Sequence, residues 1–278
     1  MTELIETVSA LRERLRSAPT IPTTGLVPTM GGLHAGHAAL IAAARRECGV
    51  VVVSIFVNPL QFNSPDDLAR YPRTLDADRA LCRELGVDIV FEPSAADVYP
   101  EPPECSVDVG RLADHLCGKF RPGHFRSVAT VVLKLFAMVQ PQRAYFGGKD
   151  AQQLAIIRRL AADFNLPIEV VEIPTVREAD GLAMSSRNRH LSAGERSLAP
   201  SLYQALVEAR RRITAGERDV NAVRDAAAAR IPPSIELEYL EIVDPATMQP
   251  VAQIAGPVRV AGAIWLGATR LIDNVLVE

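Results

Sequence analysis

The stretch VPTMGGLHAGHAALIAAARR, residues 27–46, reads as a strand end, a glycine turn and the first turns of a helix. Leu33, Leu40 and Ile41 fall near one face of that helix, which is expected to run to about Arg46, and an apolar piece, residues 25–27, leads into the turn. A helix N-terminus presents unpaired N–H groups and the positive end of the helix dipole, so the corner suits an anion. Gly31, Gly32 and Gly36 remove side-chain bulk where phosphate oxygens would approach the backbone. His34 and His37 are three apart, which puts both imidazoles on one face. There they can donate to one phosphate and stabilise charge in a phosphoryl-transfer transition state. The plainer alternative is that the two histidines only cap the helix. A zinc site would need a third ligand, and neither a downstream ligand cluster nor an HExxH spacing accompanies the pair.

Outward from this corner, the run VVVVSIFV, residues 50–57, is β-branched and apolar on both faces, as in a central parallel strand covered by helices on each side. Upstream, Leu4, Ile5, Val8, Leu11 and Leu15 recur at helical spacing and predict an opening amphipathic helix that ends near Pro19. Downstream, a helix is expected over 74–85 and a strand over 87–91. A proline-rich excursion follows over 92–123, with a short strand near Val107 and a short helix around Leu112. Residues 128–139 read as a helix, 144–146 as a strand, 150–164 as a helix and 168–173 as a strand. This alternation predicts an α/β fold, a Rossmann-like open parallel sheet with helices on both faces, over residues 1–176. A polar loop, residues 174–191, then leads to helices over 193–215 and 220–229 and strands over 237–243 and 258–267. These predict a smaller C-terminal α+β lid domain over 177–278.

Composition sets outer bounds. A chain of 278 residues, 48% hydrophobic and 23% charged, buries a full core as one large or two ordinary domains. A net charge of −3 leaves no basic footprint for a nucleic acid, although local basic clusters can still hold a small anion. Cys48, Cys82, Cys105 and Cys117 form no CxxC pair, which argues against a structural zinc site and a disulfide framework and makes a reducing cytoplasm the expected setting. Charged residues from Glu3 to Arg16 interrupt any signal-peptide core, and the apolar run 50–57 is far shorter than the roughly 20 residues of a membrane span.

PTMGGLHAGH resembles the HIGH-type signature of the nucleotidylyltransferase superfamily, whose members bring a nucleotide α-phosphate to such a corner. Together with SIFVNPLQF, YPRT, RPGHF, FGGKDAQQL, PTVREADGLAMSSRN and EIVDP, in that order from about residue 20 to the C-terminus, it is strongly similar to the pantothenate synthetase family of ATP-dependent pantoate–β-alanine ligases. The resemblance implies a two-step reaction. Pantoate's carboxylate attacks ATP to give pantoyl adenylate and pyrophosphate, and the β-alanine amine then displaces AMP.

The same resemblance implies site residues. ATP would be bound by Pro28, Thr29, Met30, Gly31, Gly32, Leu33, His34, Ala35, Gly36 and His37, and by Gly147, Gly148, Lys149, Asp150, Val176, Met184, Ser185, Ser186 and Arg187. His34, His37, Lys149 and Arg187 are the catalytic candidates, Arg187 standing where related synthetases carry the lysine of a KMSKS-like loop. Gln61 and Gln153 match the family's pantoate-binding glutamines, with Asn58 helping to orient the substrate. Mg²⁺ is expected with the leaving pyrophosphate, and Asp78 is the carboxylate candidate for it, unless it sits on a helix surface. A homodimer is also implied. Ala35, Gly148 and Cys117 depart from the acidic residues that many members carry at those positions. Three other readings stay open at this point: a plain nucleotidylyltransferase, an aminoacyl-tRNA synthetase fragment, which the lack of a basic face disfavours, and a non-catalytic nucleotide sensor.

Overall fold

The computed structural model describes residues 2–17, 23–62 and 64–278. The chain clusters into two compact units. The first comprises Met1–Val109, Arg121–Gly148 and Ile156–Pro174; the second comprises Gly110–Phe120, Lys149–Ala155 and Thr175–Glu278. Where a single cut at 176/177 was expected, two inserted segments cluster with the C-terminal unit, and its main part begins at Thr175.

The first unit is built on a six-stranded, all-parallel sheet in the order β1-β4-β3-β2-β5-β6. Its strands are β1 (Glu3–Ile5), β2 (Thr24–Thr29), β3 (Val50–Ile55), β4 (Ile89–Phe91), β5 (Arg143–Gly147) and β6 (Glu169–Ile173). The helices met along this part of the chain are α1 (Val8–Arg16), α2 (Ala35–Glu47), α3 (Pro65–Arg70), α4 (Leu75–Glu84), α5 (Ala95–Val98), α6 (Leu116–Phe120), α7 (His124–Val139) and α8 (Ala151–Asp163). Of these, α6 and the start of α8 cluster with the second unit. Val27, Val51, Val53 and Ile55 pack with Leu40 and Ile41 of α2 and Cys82 of α4. Leu26 and Val52, one residue out of phase on the same strands, are equally buried, so both faces of the sheet are covered. The parallel sheet with helices on both faces follows from that double burial.

Several expectations change. Leu4 and Ile5 form an edge strand rather than the start of a helix, and Thr7 caps the helix that follows. A short apolar run cannot be assigned by period alone, and its pairing partner lies more than eighty residues away in β4. The expected stop at Pro19 lies outside the described residues; α1 ends at Arg16. Val107 is not in a strand, and its N–H donates instead to Thr130 Oγ1 (3.0 Å).

The second unit carries the antiparallel sheet β7-β8-β9, with β7 (Glu236–Val243), β8 (Val258–Leu266) and β9 (Thr269–Val277). Its helices α9 (Ala193–Leu198), α10 (Ser201–Thr214) and α11 (Val220–Ala228) surround a core that includes Leu202, Leu206, Ile213, Ile242, Val260 and Ile264. The single helix expected over 193–215 is two, because Pro200 has no N–H for the ladder and heads a new helix. The third strand, β9, lies beyond the two strands that the sequence pattern predicts.

Candidate active site

The β2–α2 corner is assembled from both sides. Thr29, the last residue of β2, donates from Oγ1 to the Ser54 carbonyl (2.7 Å) and accepts from the Gly31 N–H (3.2 Å). Gly31 and Gly32 then turn at φ +80° and +62°, a conformation that glycine adopts without steric cost. A Cβ on Gly31 would also lie 3.1 Å from Asp78 Oδ2 and 3.2 Å from Ile55 Cγ2.

Asp78 takes a different part from the one expected. It projects from α4 with 2% of its surface exposed and accepts from the Gly32 N–H (2.9 Å), the Leu33 N–H (2.8 Å) and Thr74 Oγ1 (3.1 Å). The anion that the glycine turn holds is therefore the protein's own carboxylate. These bonds give Asp78 a structural role beneath the turn, and they engage the Gly32 and Leu33 N–H groups that a phosphate would otherwise meet. Among the described residues no group of three or more His, Cys, Asp or Glu side chains is arranged to hold a metal ion.

His34 is the N-cap of α2 and His37 its third residue, and they form a reciprocal capping box. The Gly36 N–H donates to His34 Nδ1 (3.1 Å), and the His34 N–H donates to His37 Nδ1 (3.3 Å). A backbone N–H only donates, so both Nδ1 atoms are acceptors and each neutral ring carries its hydrogen on Nε2. The ring centroids are 4.1 Å apart. Capping and phosphate binding are thus compatible: the cap fixes the tautomer, and the tautomer leaves Nε2–H as the donor each ring can offer to an anion.

Beyond β3, Asn58 caps the 3-10 turn Pro59–Gln61 through the Leu60 N–H. It is 1% exposed, its amide donates to Gln61 Oε1 (3.2 Å), and Tyr99 donates to its Oδ1 (3.2 Å). Asn58 therefore orients Gln61, whose own amide donates to Met30 Sδ. Burial, which disfavours the phenolate, pushes the Tyr99 phenol up to about 12, so it stays a donor at neutral pH. The RPGHF segment, which carried no assigned role, reaches the same glutamine: His124 Nδ1 lies 2.9 Å and Arg121 Nη2 3.2 Å from the Gln61 carbonyl.

The remaining candidates belong to the second unit, apart from Gly147 and Gly148 at the end of β5. A Cβ at Gly148 would come within 2.8 Å of the Glu172 carboxylate, so a glutamate there would need that side chain to move. Lys149 is one-fifth exposed, with Nζ 3.4 Å from Asp150 Oδ1. Gln153 is half-buried on α8, while its neighbour Gln152 is buried and donates to the carbonyls of Leu112 and His115 (both 2.8 Å). Val176 accepts from the Met184 N–H (2.9 Å). Ser185 caps the 3-10 turn Ser186–His190 by accepting from the Arg187 N–H (3.2 Å), and Ser186 is buried. Asn188 closes this loop onto Glu178 (3.0 Å) and the Ala183 carbonyl (3.1 Å). At the position that departs from the family pattern, the buried Cys117 Sγ lies 3.3 Å from Tyr239 Oη.

A parallel α/β sheet with paired histidines capping the helix after its glycine turn defines a member of the HIGH-motif nucleotidylyltransferase superfamily. Comparison narrows this. The family model of pantoate–β-alanine ligase matches residues 3–276. The chain is 52% identical over 281 residues to the pantothenate synthetase of Heliobacterium modesticaldum, covering 99% of each. It is 51% identical over 285 residues to a bifunctional pantoate ligase/cytidylate kinase of Thermosynechococcus vestitus, covering 99% of this chain but 54% of that protein, so it spans about half the length of the bifunctional relatives. The crystal structure of the Thermus thermophilus pantothenate synthetase superposes with a TM-score of 0.93 at 47% identity, over 99% of both chains. A pantoate–β-alanine ligase of Francisella tularensis, complexed with a β-γ ATP and β-alanine, superposes with a TM-score of 0.83 at 34% identity, over 99% of this chain and 98% of that one. The chain belongs to the pantoate–β-alanine ligase family.

Proposed function

We propose that the protein joins (R)-pantoate to β-alanine at the expense of ATP, giving pantothenate, AMP and pyrophosphate through a pantoyl adenylate, as a step of coenzyme A biosynthesis. The observation that carries this reading is the capping box, which commits both Nδ1 atoms of His34 and His37 to the backbone and makes Nε2–H the donor of each ring. Two such donors at the positive end of α2 suit an α-phosphate that gains negative charge as a carboxylate attacks it. The bound ATP and β-alanine in the Francisella relative's structure support the same substrates here.

In this reading, a pantoate carboxylate oxygen forms a bond to the α-phosphorus while the bond to the β-phosphate oxygen breaks. The family resemblance assigns pantoate to Gln61, which is held at its carbonyl by Arg121 and His124 and at its amide by Asn58, and to Gln153. Lys149, Ser185 and Arg187 hold the phosphates that leave; Pro28, Thr29, Met30, Leu33, Ala35, Gly36, Gly147, Gly148, Asp150, Val176, Met184 and Ser186 line the nucleotide. The β-alanine amine then adds to the acyl carbon, the acyl C–O bond breaks, and AMP leaves with the oxygen that attacked. Positioning and electrostatics supply the catalysis, and no covalent enzyme intermediate is needed. Mg²⁺ would accompany ATP as its counterion and would neutralise charge on the leaving pyrophosphate. A cytoplasmic setting agrees with the four free cysteines, and a homodimer is carried from the family resemblance.

The test is pyrophosphate release from ATP and Mg²⁺, with and without pantoate and β-alanine. Release is expected to require pantoate, and AMP turnover to require both acids. Release that ignores pantoate contradicts the proposal.

A further inference from the structure

Two segments with proposed phosphate roles, Lys149 and residues 184–187, lie far apart in sequence, yet both are tied to the same two residues of the last strand. Asn274 on β9 donates from Nδ2 to the Lys149 carbonyl (2.9 Å). Its amide cannot flip, because Arg259 on β8 donates to Oδ1. The preceding residue, Asp273, is buried and receives the Arg177 guanidinium in a two-pronged pair of 2.5 and 3.0 Å. Asp273 Oδ1 also accepts from the Asn274 N–H (2.7 Å), so the two clamp residues hold each other.

Arg177 in turn sets the hairpin that feeds the serine loop. It bridges to Ala183 across the hairpin, donates to the Gly181 carbonyl (3.0 Å) and lies 3.9 Å over the Tyr203 ring. Gly181 turns at φ +93°, and a Cβ there would sit 2.3 Å from Tyr203 Cδ1, so the ring packs where only glycine leaves room. The Met184 N–H closes the hairpin on the Val176 carbonyl (2.9 Å), and Ser185 follows directly.

A buried ion pair is a costly way to gain stability, since apolar residues of similar size commonly serve as well, and its particular merit is fixed geometry. We propose that Asp273 and Asn274 are positioning residues for the nucleotide, acting through Arg177 and the Lys149 backbone to hold the lysine and the serine loop in one register. This rests on the ligase reading above. The clamp acts on ATP before pantoate, because its bonds end at Arg177 and the Lys149 carbonyl, while Gln61, one of the two glutamines assigned to pantoate, is oriented by Asn58, Arg121 and His124 of the other unit.

The experiment measures steady-state pyrophosphate release and calorimetric ATP binding for Arg177→Lys, Asp273→Asn, their double variant and Asn274→Ala, beside Ile213→Val as a control for plain loss of core packing. Arg177→Lys keeps the charge but loses the fork, and is the mildest of the set. Asp273→Asn and Asn274→Ala are each expected to raise KM for ATP by about 10-fold, and Arg177→Lys by about 3-fold, with KM for pantoate changed less than about 2-fold. The Arg177→Lys/Asp273→Asn pair should be far from additive, and Ile213→Val should leave both KM values unchanged. ATP affinity equal to wild type in folded Arg177→Lys and Asn274→Ala overturns the clamp, as does a parallel rise in both KM values. If the wild type shows no pantoate-dependent release, the ligase reading falls, while the calorimetric arm still decides whether the clamp sets ATP affinity.

Discussion

The ligase proposal assigns nucleotide roles to the β2–α2 corner and to the segment that runs from Arg177 to Arg187, and the two are held by different physics. The corner is fixed at its backbone N–H groups: two left-handed glycines make the turn, a histidine capping box closed within four residues holds the helix start, and one buried carboxylate lies beneath. The later segment is fixed by side chains that reach 96 residues along the chain, from Arg177 to Asp273, and its partner Lys149 by a bond spanning 125 residues to Asn274. A corner whose backbone N–H groups are held at several points suits stabilisation of a transition state that must be met without reorganisation. Segments held by arginine–carboxylate pairs and amide bonds suit phosphates that bind and then leave.

The largest expected effect breaks the corner's chemistry and spares its backbone. His37→Ala removes one donor and one cap acceptor; turnover should fall by on the order of 10²–10³, with circular dichroism unchanged. Wild-type turnover in a folded variant would reduce the histidine to a cap.

Next is the carboxylate beneath the turn. Asp78→Ala leaves the Gly32 and Leu33 N–H groups without their acceptor, at about 1–3 kcal/mol each, so thermal unfolding should begin several degrees lower, at roughly 2–4 °C per kcal/mol. The Mg²⁺ concentration for half-maximal rate should stay where it is in wild type. A shifted Mg²⁺ dependence with unchanged melting would return Asp78 to the metal.

The smallest effect probes the arginine–carboxylate mode of the second unit. Glu208 on α10 is paired with Arg211 (2.8 Å), Arg212 (2.8 Å) and Arg230 (3.2 Å), and the hydrogen bonds from Arg211 and Arg212 hold its carboxyl down to about 2, against an ordinary 4.5. A depressed folded value means stability that is fully present above about pH 4.5 and is lost as pH falls toward 2. Glu208→Gln should lower the melting temperature slightly at neutral pH and flatten its decline across that acid window. An acid limb identical to wild type would show that the three arginines contribute nothing there.

This contrast also explains what could be read in the sequence. The double-sided apolar run of β3, the glycine turn and the histidine spacing are local patterns, so the parallel sheet and the corner were legible from the residues alone. The short edge strand β1 was not, because Leu4 and Ile5 fit a helix equally well until β4 is seen beside them. The place of Asp78 beneath the turn was hidden for the same reason: the N–H groups it satisfies are 45 and 46 residues upstream, and no local pattern marks a carboxylate as the floor of a turn. Arg121 and His124 stood in a recognisable motif whose partner the sequence did not show, and Asp273 and Asn274 in β9, beyond the Gly267–Ala268 turn at which the reading of the strands stopped. Residues whose role is to hold another residue become legible only when the chain is folded.

The central claim is that a carboxylate oxygen of pantoate attacks the α-phosphate at the histidine corner. Pantoate labelled with ¹⁸O in both carboxylate oxygens tests it directly, with the products analysed by mass spectrometry after a single turnover with ATP and β-alanine. One labelled oxygen in AMP and none in pyrophosphate is the predicted result; label in pyrophosphate or inorganic phosphate, or unlabelled AMP, would contradict it.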